Sequence, residues 1–225
     1  MSQNRRHSAE MGPHASRMGT ARLYLVTPPL GDAGAIADVL ADALNAAEIA
    51  AVLVRLEDGD EAALLERVKT LRILIQSNGA ALLLDGHAGL VARAECDGAH
   101  LTGTDALKAA APGLKPKYIA GCGGLGTRHD AMLAGESGAD YVMFGEPDAD
   151  GSRPSFSGIL DRVAWWAELF EVPCAAFAAT LEEAEQLASA GADFVAIGGN
   201  LWDDPRGPAA AVAEAAAKLA VPEQV

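Results

Sequence analysis

Hydrophobic residues along this chain fall into short runs of Leu, Val, Ile and Ala, separated by longer stretches in which Ala and Leu recur at helical spacing among charged positions. Eight runs predict strands at Leu23–Thr27, Ala51–Leu56, Ala80–Leu84, Gly98–Leu101, Tyr118–Gly121, Tyr141–Gly145, Pro173–Phe177 and Phe194–Gly198. Between them Ala35–Ala47, Asp60–Gln76, Thr180–Ala190 and Pro208–Leu219 are the clearest predicted helices. Strands that are apolar throughout are buried on both faces, as in parallel sheets covered by helices. Regular alternation of strand and helix returns the chain to the same end of the sheet after each crossover. Local units of this kind also build open sheets, but eight of them in about 200 residues, with none left over, select a closed (β/α)8 TIM barrel.

Three segments echo one another: Asp97-Gly98-Ala99-His100-Leu101, Gly138-Ala139-Asp140-Tyr141-Val142 and Gly191-Ala192-Asp193-Phe194-Val195. In the last two a glycine stops a helix and an Ala-Asp pair leads into an apolar strand. The first shares only the aspartate before the strand. Repetition of this unit supports a barrel assembled from βα modules.

Composition narrows the function classes. The 225 residues are 50% hydrophobic but only 5% aromatic, so the core is built from small and branched aliphatic side chains. The formal charge is −14, and residues 1–22 contribute four arginines against one glutamate, leaving −17 on the remainder. Such a surface repels phosphate backbones, which excludes a non-specific nucleic-acid binder. No apolar run is long enough for a bilayer span, so a soluble protein without membrane contact is expected. Three scattered cysteines, Cys96, Cys122 and Cys174, suggest reduced thiols and a cytoplasmic location. Residues 1–20 lack the apolar centre of a secretory signal; a disordered tail is expected there, with an Arg-bearing organelle address as the alternative. Residues 21–225 then form one barrel domain.

Active sites of such barrels form where strands end and the following loops begin. Asp85 and Asp105 stand just past adjacent predicted strands. Two convergent carboxylates suit Mg²⁺ with water and diphosphate completing its shell, and helix capping is the competing use. Gly198-Gly199 after the last strand is the kind of backbone that approaches a phosphate closely, although such a pair also serves tight turns. His100 reads as a core or rim residue and His129 as an exposed helix-start residue. Cys122, beside glycines at a strand end, is either a reactive thiol or a small buried filler. Trp165-Trp166 is expected to pack against the barrel wall.

The order of these landmarks resembles the thiamine phosphate synthases and their thiazole tautomerase (TenI) relatives. Leu23-Tyr24-Leu25-Val26-Thr27 is similar to the family's LYLVT opening, Leu53-Val54-Arg55-Leu56 to LVQLREK, and Asp97 to Leu101 with Asp105 to DGVHLGQED. Gly138 to Val142 through Phe144-Gly145 is similar to GADYVGFG. The resemblance implies a transferase of thiamine biosynthesis that joins an aminopyrimidine diphosphate to a thiazole phosphate and releases pyrophosphate. It implies Mg²⁺ on Asp85 and Asp105 rather than caps. It also implies a cation for phosphate at Arg153 and substrate or phosphate contacts at Ser152, Gly198 and Gly199; Arg55 is read as a catalytic cation offsetting the family's lost ones, and Cys122 and Gly123 as further substrate contacts after the fifth strand. Phosphorylated small molecules are the implied partners, and a homodimer the implied assembly. This chain departs from the pattern at several places. The family's diphosphate-gripping Arg and Lys align with Glu57 and Gly59, its Gln with Arg55, its metal-adjacent Asn with Leu84, and its serine after the fifth strand with Gly123. Ala178-Ala179 replaces a Gly-Gly after the seventh strand. These departures keep two alternatives open: a barrel enzyme acting on another phosphorylated compound, and a non-catalytic protein that binds thiamine-related ligands.

Overall fold

A computed structural model describes residues 21–148 and 150–220; the tail expected over residues 1–20 lies outside them. Eight parallel strands close into a barrel in sequence order: β1 (Arg22–Leu30), β2 (Ile49–Leu56), β3 (Ala81–Asp85), β4 (Gly98–Thr102), β5 (Ile119–Gly123), β6 (Tyr141–Phe144), β7 (Cys174–Ala178) and β8 (Phe194–Ile197). The crossover helices are α1 (Gly34–Ala46), α2 (Glu61–Ser77), α3 (Val91–Ala94), α4 (Thr104–Leu114), α5 (Arg128–Glu136), α6 (Phe156–Leu169), α7 (Leu181–Ser189) and α8 (Pro208–Leu219). Every predicted strand is present, and β1 runs three residues further, through a register shift between Val26 and Pro29. The third crossover is shorter than the others: a 3-10 turn at Ala88–Leu90 leads into the four residues of α3.

Strand alternation sorts the core into two sets. Tyr24, Val26, Leu53, Ala81, Leu83, Tyr141, Met143, Ala175, Phe194 and Ala196 fill the barrel interior. Their neighbours in sequence, such as Leu25, Val52, Leu84, Cys122, Val142 and Val195, face the helices. The interior is narrow, and glycine makes room in it: a Cβ at Gly121 would run into the Tyr141 ring. Trp166 is fully buried among the strand-facing residues, and its indole N–H donates to Val172 O at 2.7 Å.

The echoed aspartates have one shared task. Asp97 accepts the N–H of Leu82 at 2.8 Å, Asp140 that of Ala120 at 2.7 Å, and Asp193 that of Cys174 at 2.8 Å. In each case the backbone N–H of the aspartate returns a bond to the carbonyl of the same residue, at 2.9–3.0 Å. The starts of β4, β6 and β8 are thereby stitched to β3, β5 and β7, satisfying backbone donors at the end of the barrel remote from the loops that carry function. Capping is not the use the structure makes of Asp85 or Asp105. Gly103 (φ 87°) is the N-cap of α4, which makes Asp105 a first-turn residue, and Asp85 ends β3.

Candidate active site

Arg55, Asp85 and His100 share the inward register of Leu53, Leu83 and Gly98, so the strand period brings three polar side chains to the C-terminal mouth of the barrel. Arg55 Nε lies 3.4 Å from Asp85 Oδ2, both groups being partly exposed. The backbone N–H of Arg55 donates to the buried Thr27 hydroxyl at 3.0 Å, which ties the end of β2 to β1.

His100 is 1% exposed and is held from both sides. Its Nδ1 is 2.8 Å from the Tyr141 hydroxyl, which is 2.8 Å from that of Tyr24. Its Nε2 is 2.8 Å from Glu146 Oε1, an ion pair when the imidazole is protonated. Glu146 comes from the loop after β6, and its Oε2 accepts the Gly124 N–H at 3.2 Å. Burial opposes charge on the imidazole, but the Glu146 carboxylate and, less strongly, Asp85 outweigh it and raise the His100 pKa. Burial also works against the Glu146 charge, and His100, the Gly124 N–H and Arg55 reverse that and lower its pKa. Burial holds the two tyrosine hydroxyls protonated. The floor of the site is therefore two neutral phenols, and above them stand two acid–base pairs, Arg55 with Asp85 and His100 with Glu146.

Glycines permit this packing. A Cβ at Gly123 would overlap Glu146 Oε2 outright and stand 2.5 Å from His100 Nε2. Gly124 adopts φ 64°, which turns its N–H to the carboxylate in a conformation that side chains rarely take.

The other residues singled out by the sequence are dispersed around this centre. Asp105 is exposed at the start of α4, one strand along from Asp85. Ser152 is exposed in a tight turn where its N–H donates to Asp150 Oδ1 at 2.9 Å and its carbonyl accepts from Asp148 at 2.7 Å. Arg153 spans β6 and β7: Nε donates to Gly145 O at 3.1 Å, one terminal nitrogen to Phe177 O at 2.8 Å, and the other to Glu183 at 2.8 Å. Gly198 is buried where a Cβ would approach Val26 O to 3.0 Å, and Gly199 (φ 50°) opens a short exposed 3-10 turn. Cys122 is wholly buried and points toward the helices, away from the mouth, and burial pushes its thiol up to about 11. Leu84 likewise belongs to the strand–helix layer. The Glu57 side chain lies over the loop after β1, where a Cβ at Gly31 would collide with its carboxylate. From α2, Arg67 donates to Glu57 O at 2.7 Å, and its guanidinium lies beside Gly59.

Sequence reasoning missed Glu146 and the two phenols. Tyr24 and Tyr141 were detectable as inward positions of β1 and β6. Glu146 had no such signal, because it sits in an irregular loop among other acids.

The fold agrees with that of thiamine phosphate pyrophosphorylase from Pyrococcus furiosus, with TM-score 0.75 and 20% identity over 91% of this chain and 98% of that one. It also agrees with 3-hexulose-6-phosphate synthase from Salmonella typhimurium, with TM-score 0.66 and 14% identity over 87% and 97%. In sequence, the chain is 42% identical to a thiamine-phosphate synthase of Rhodospirillum centenum over 88% of its own length and 97% of that protein's. It is 37% identical to one of Hyphomonas neptunium over 85% and 90%. The family model for thiamine monophosphate synthase matches residues 23–201, and on these grounds the chain belongs to the thiamine monophosphate synthase family.

Proposed function

We propose that this protein is a thiamine-phosphate synthase. It joins an aminopyrimidine diphosphate to a thiazole phosphate and releases pyrophosphate. The observation that carries this reading is 42% identity with the Rhodospirillum centenum synthase over nearly the whole of that protein, joined to a polar mouth in the place where such barrels react.

In this reaction the bond between the pyrimidine methylene carbon and the diphosphate oxygen breaks, and the electron pair leaves with the diphosphate. The thiazole nitrogen then forms the new carbon–nitrogen bond. The chain must hold a highly charged leaving group at the rim and keep the cationic pyrimidine from water. Arg55, partly exposed at the end of β2 beside Asp85, is assigned to the diphosphate. Asp85 and Asp105 supply hard carboxylate oxygens at the ends of neighbouring βα units and would hold Mg²⁺. Two carboxylates would leave most of an octahedral shell to water and substrate oxygens. When bound, the metal neutralises the diphosphate oxygens. The Gly198-Gly199 backbone and Ser152 are assigned to the thiazole phosphate, and Arg153 braces the intervening loops through Glu183. Among the described residues no helix is long and apolar enough to cross a membrane, and three buried cysteine thiols suit our assignment to the cytoplasm. We assign a homodimer by family likeness.

Asp85→Ala should abolish Mg²⁺-dependent formation of thiamine phosphate while thermal unfolding shows a folded protein. Full activity in that variant would remove Asp85 from the mechanism and with it the proposed rim geometry.

A further inference from the structure

The His100–Glu146 pair has no partner in the diphosphate chemistry just described. It lies at the centre of the mouth, and the strand ends are shaped around it. Gly123 has no side chain where one would displace it, and Gly124 turns an N–H toward it. Below, His100 is fixed by Tyr141 and Tyr24. Above, the Glu146 side chain is 21% exposed against 1% for His100, so Glu146 is the member of the pair nearer to solvent. Each carboxylate oxygen has a second acceptor direction besides its contact with His100 or Gly124.

A partly desolvated carboxylate repels phosphate and selects N–H donors. Below it the barrel interior is filled by Tyr24, Tyr141, Val26 and Leu53, so a ligand meets the carboxylate at the mouth. An acceptor over an apolar floor fits a planar heterocycle bearing an amino group. We propose that the Glu146 carboxylate, held between His100 and the Gly124 N–H, accepts the amino group of the aminopyrimidine and thereby fixes the ring end of the substrate. This rests on the synthase reading, and it makes Glu146 the specificity-determining residue for the pyrimidine. The ring then rests at the barrel mouth against Glu146, and the diphosphate stays at the rim with Arg55 and Asp85. The same anion faces the ring as positive charge develops during cleavage.

The test is a cycle in two dimensions. Wild type and Glu146→Gln are titrated calorimetrically with the aminopyrimidine alcohol, which carries no diphosphate, and with the same ring lacking the amino group. Glutamine keeps the side-chain size, and thermal unfolding reports whether the variant is folded. Glu146→Gln should weaken the amino compound about ten- to hundredfold and leave the des-amino ring unchanged. In turnover, KM for the pyrimidine diphosphate should rise and KM for the thiazole phosphate should not. Equal binding by both proteins, or equal losses for both rings, would overturn the assignment of Glu146. Should that happen while wild type still makes thiamine phosphate, the synthase reading stands alone. Absence of wild-type turnover would instead remove the reading and this inference together.

Discussion

Replacing Gly123 by alanine adds one methyl group to the end of β5, where it would overlap Glu146 Oε2 and stand 2.5 Å from His100 Nε2. Neither neighbour can yield cheaply. His100 is 1% exposed and fixed by Tyr141, so the carboxylate must move by more than an ångström. Its 2.8 Å contact with His100 and its 3.2 Å bond from Gly124 are then lost. A hydrogen bond to a charged group is worth roughly 1.5–3 kcal/mol, and breaking a buried pair can cost more. Partial exposure of Glu146 and loss of the imidazole proton both reduce this, which leaves roughly 2–4 kcal/mol. For a domain of this size that is a fall in Tm of about 5–15 °C. Urea unfolding with linear extrapolation measures it. Gly126→Ala is the control, since its Cβ would meet only Asp130 Oδ2, at 3.7 Å, and it should stay within about 0.5 kcal/mol of wild type. A Gly123→Ala protein as stable as that control would refute the packing argument for the ion pair.

Three further outcomes follow from the same structure. Asp193→Ala should cost roughly 1–3 kcal/mol in urea unfolding, because the Cys174 N–H loses its acceptor, while Asp193→Asn should cost less by retaining one. Cys96, Cys122 and Cys174 are buried, and burial pushes Cys96 up to about 12 and Cys122 to about 11. A thiol reagent at neutral pH should therefore label the native protein slowly and all three sites once denatured. His100 has a raised pKa, so its stabilisation is full below the ordinary 6.5 and disappears as pH rises through the folded value. Glu146 has a lowered pKa, so its share is full above the ordinary 4.5 and disappears as pH falls through the folded value. Tyr141, Tyr24, Asp85 and Arg55 are the other titratable groups around the pair. Tm measured against pH should thus hold its His100–Glu146 contribution between about 4.5 and 6.5 and lose it on either side, and His100→Asn should flatten the alkaline decline.

The barrel was legible because its signals are local. Short runs such as Val52-Leu53-Val54 and Leu82-Leu83-Leu84 are apolar on both faces, and their number equals that of the strands. Asp97, Asp140 and Asp193 were visible as a repeat, but their task was not, since it depends on an N–H of the preceding strand 15 to 20 residues away. Arg55 and Asp85 were both visible as strand-end residues, and the structure brings them together because neighbouring strands share an inward register. Arg153 was read as a cation for phosphate, and the structure engages three of its nitrogens with Gly145, Phe177 and Glu183. The His100–Glu146 pair was hidden. His100 read as a core or rim residue and is buried, but the carboxylate that faces it lies 46 residues on, in a loop rich in acids, and closure of the barrel selects that one.

The central claim is tested most directly by supplying the purified protein with aminopyrimidine diphosphate, thiazole phosphate and Mg²⁺, and measuring thiamine phosphate and pyrophosphate together. The account predicts that the two products appear in equal amounts, only when both substrates are present. A folded sample that forms neither, beside an active control synthase, would contradict it.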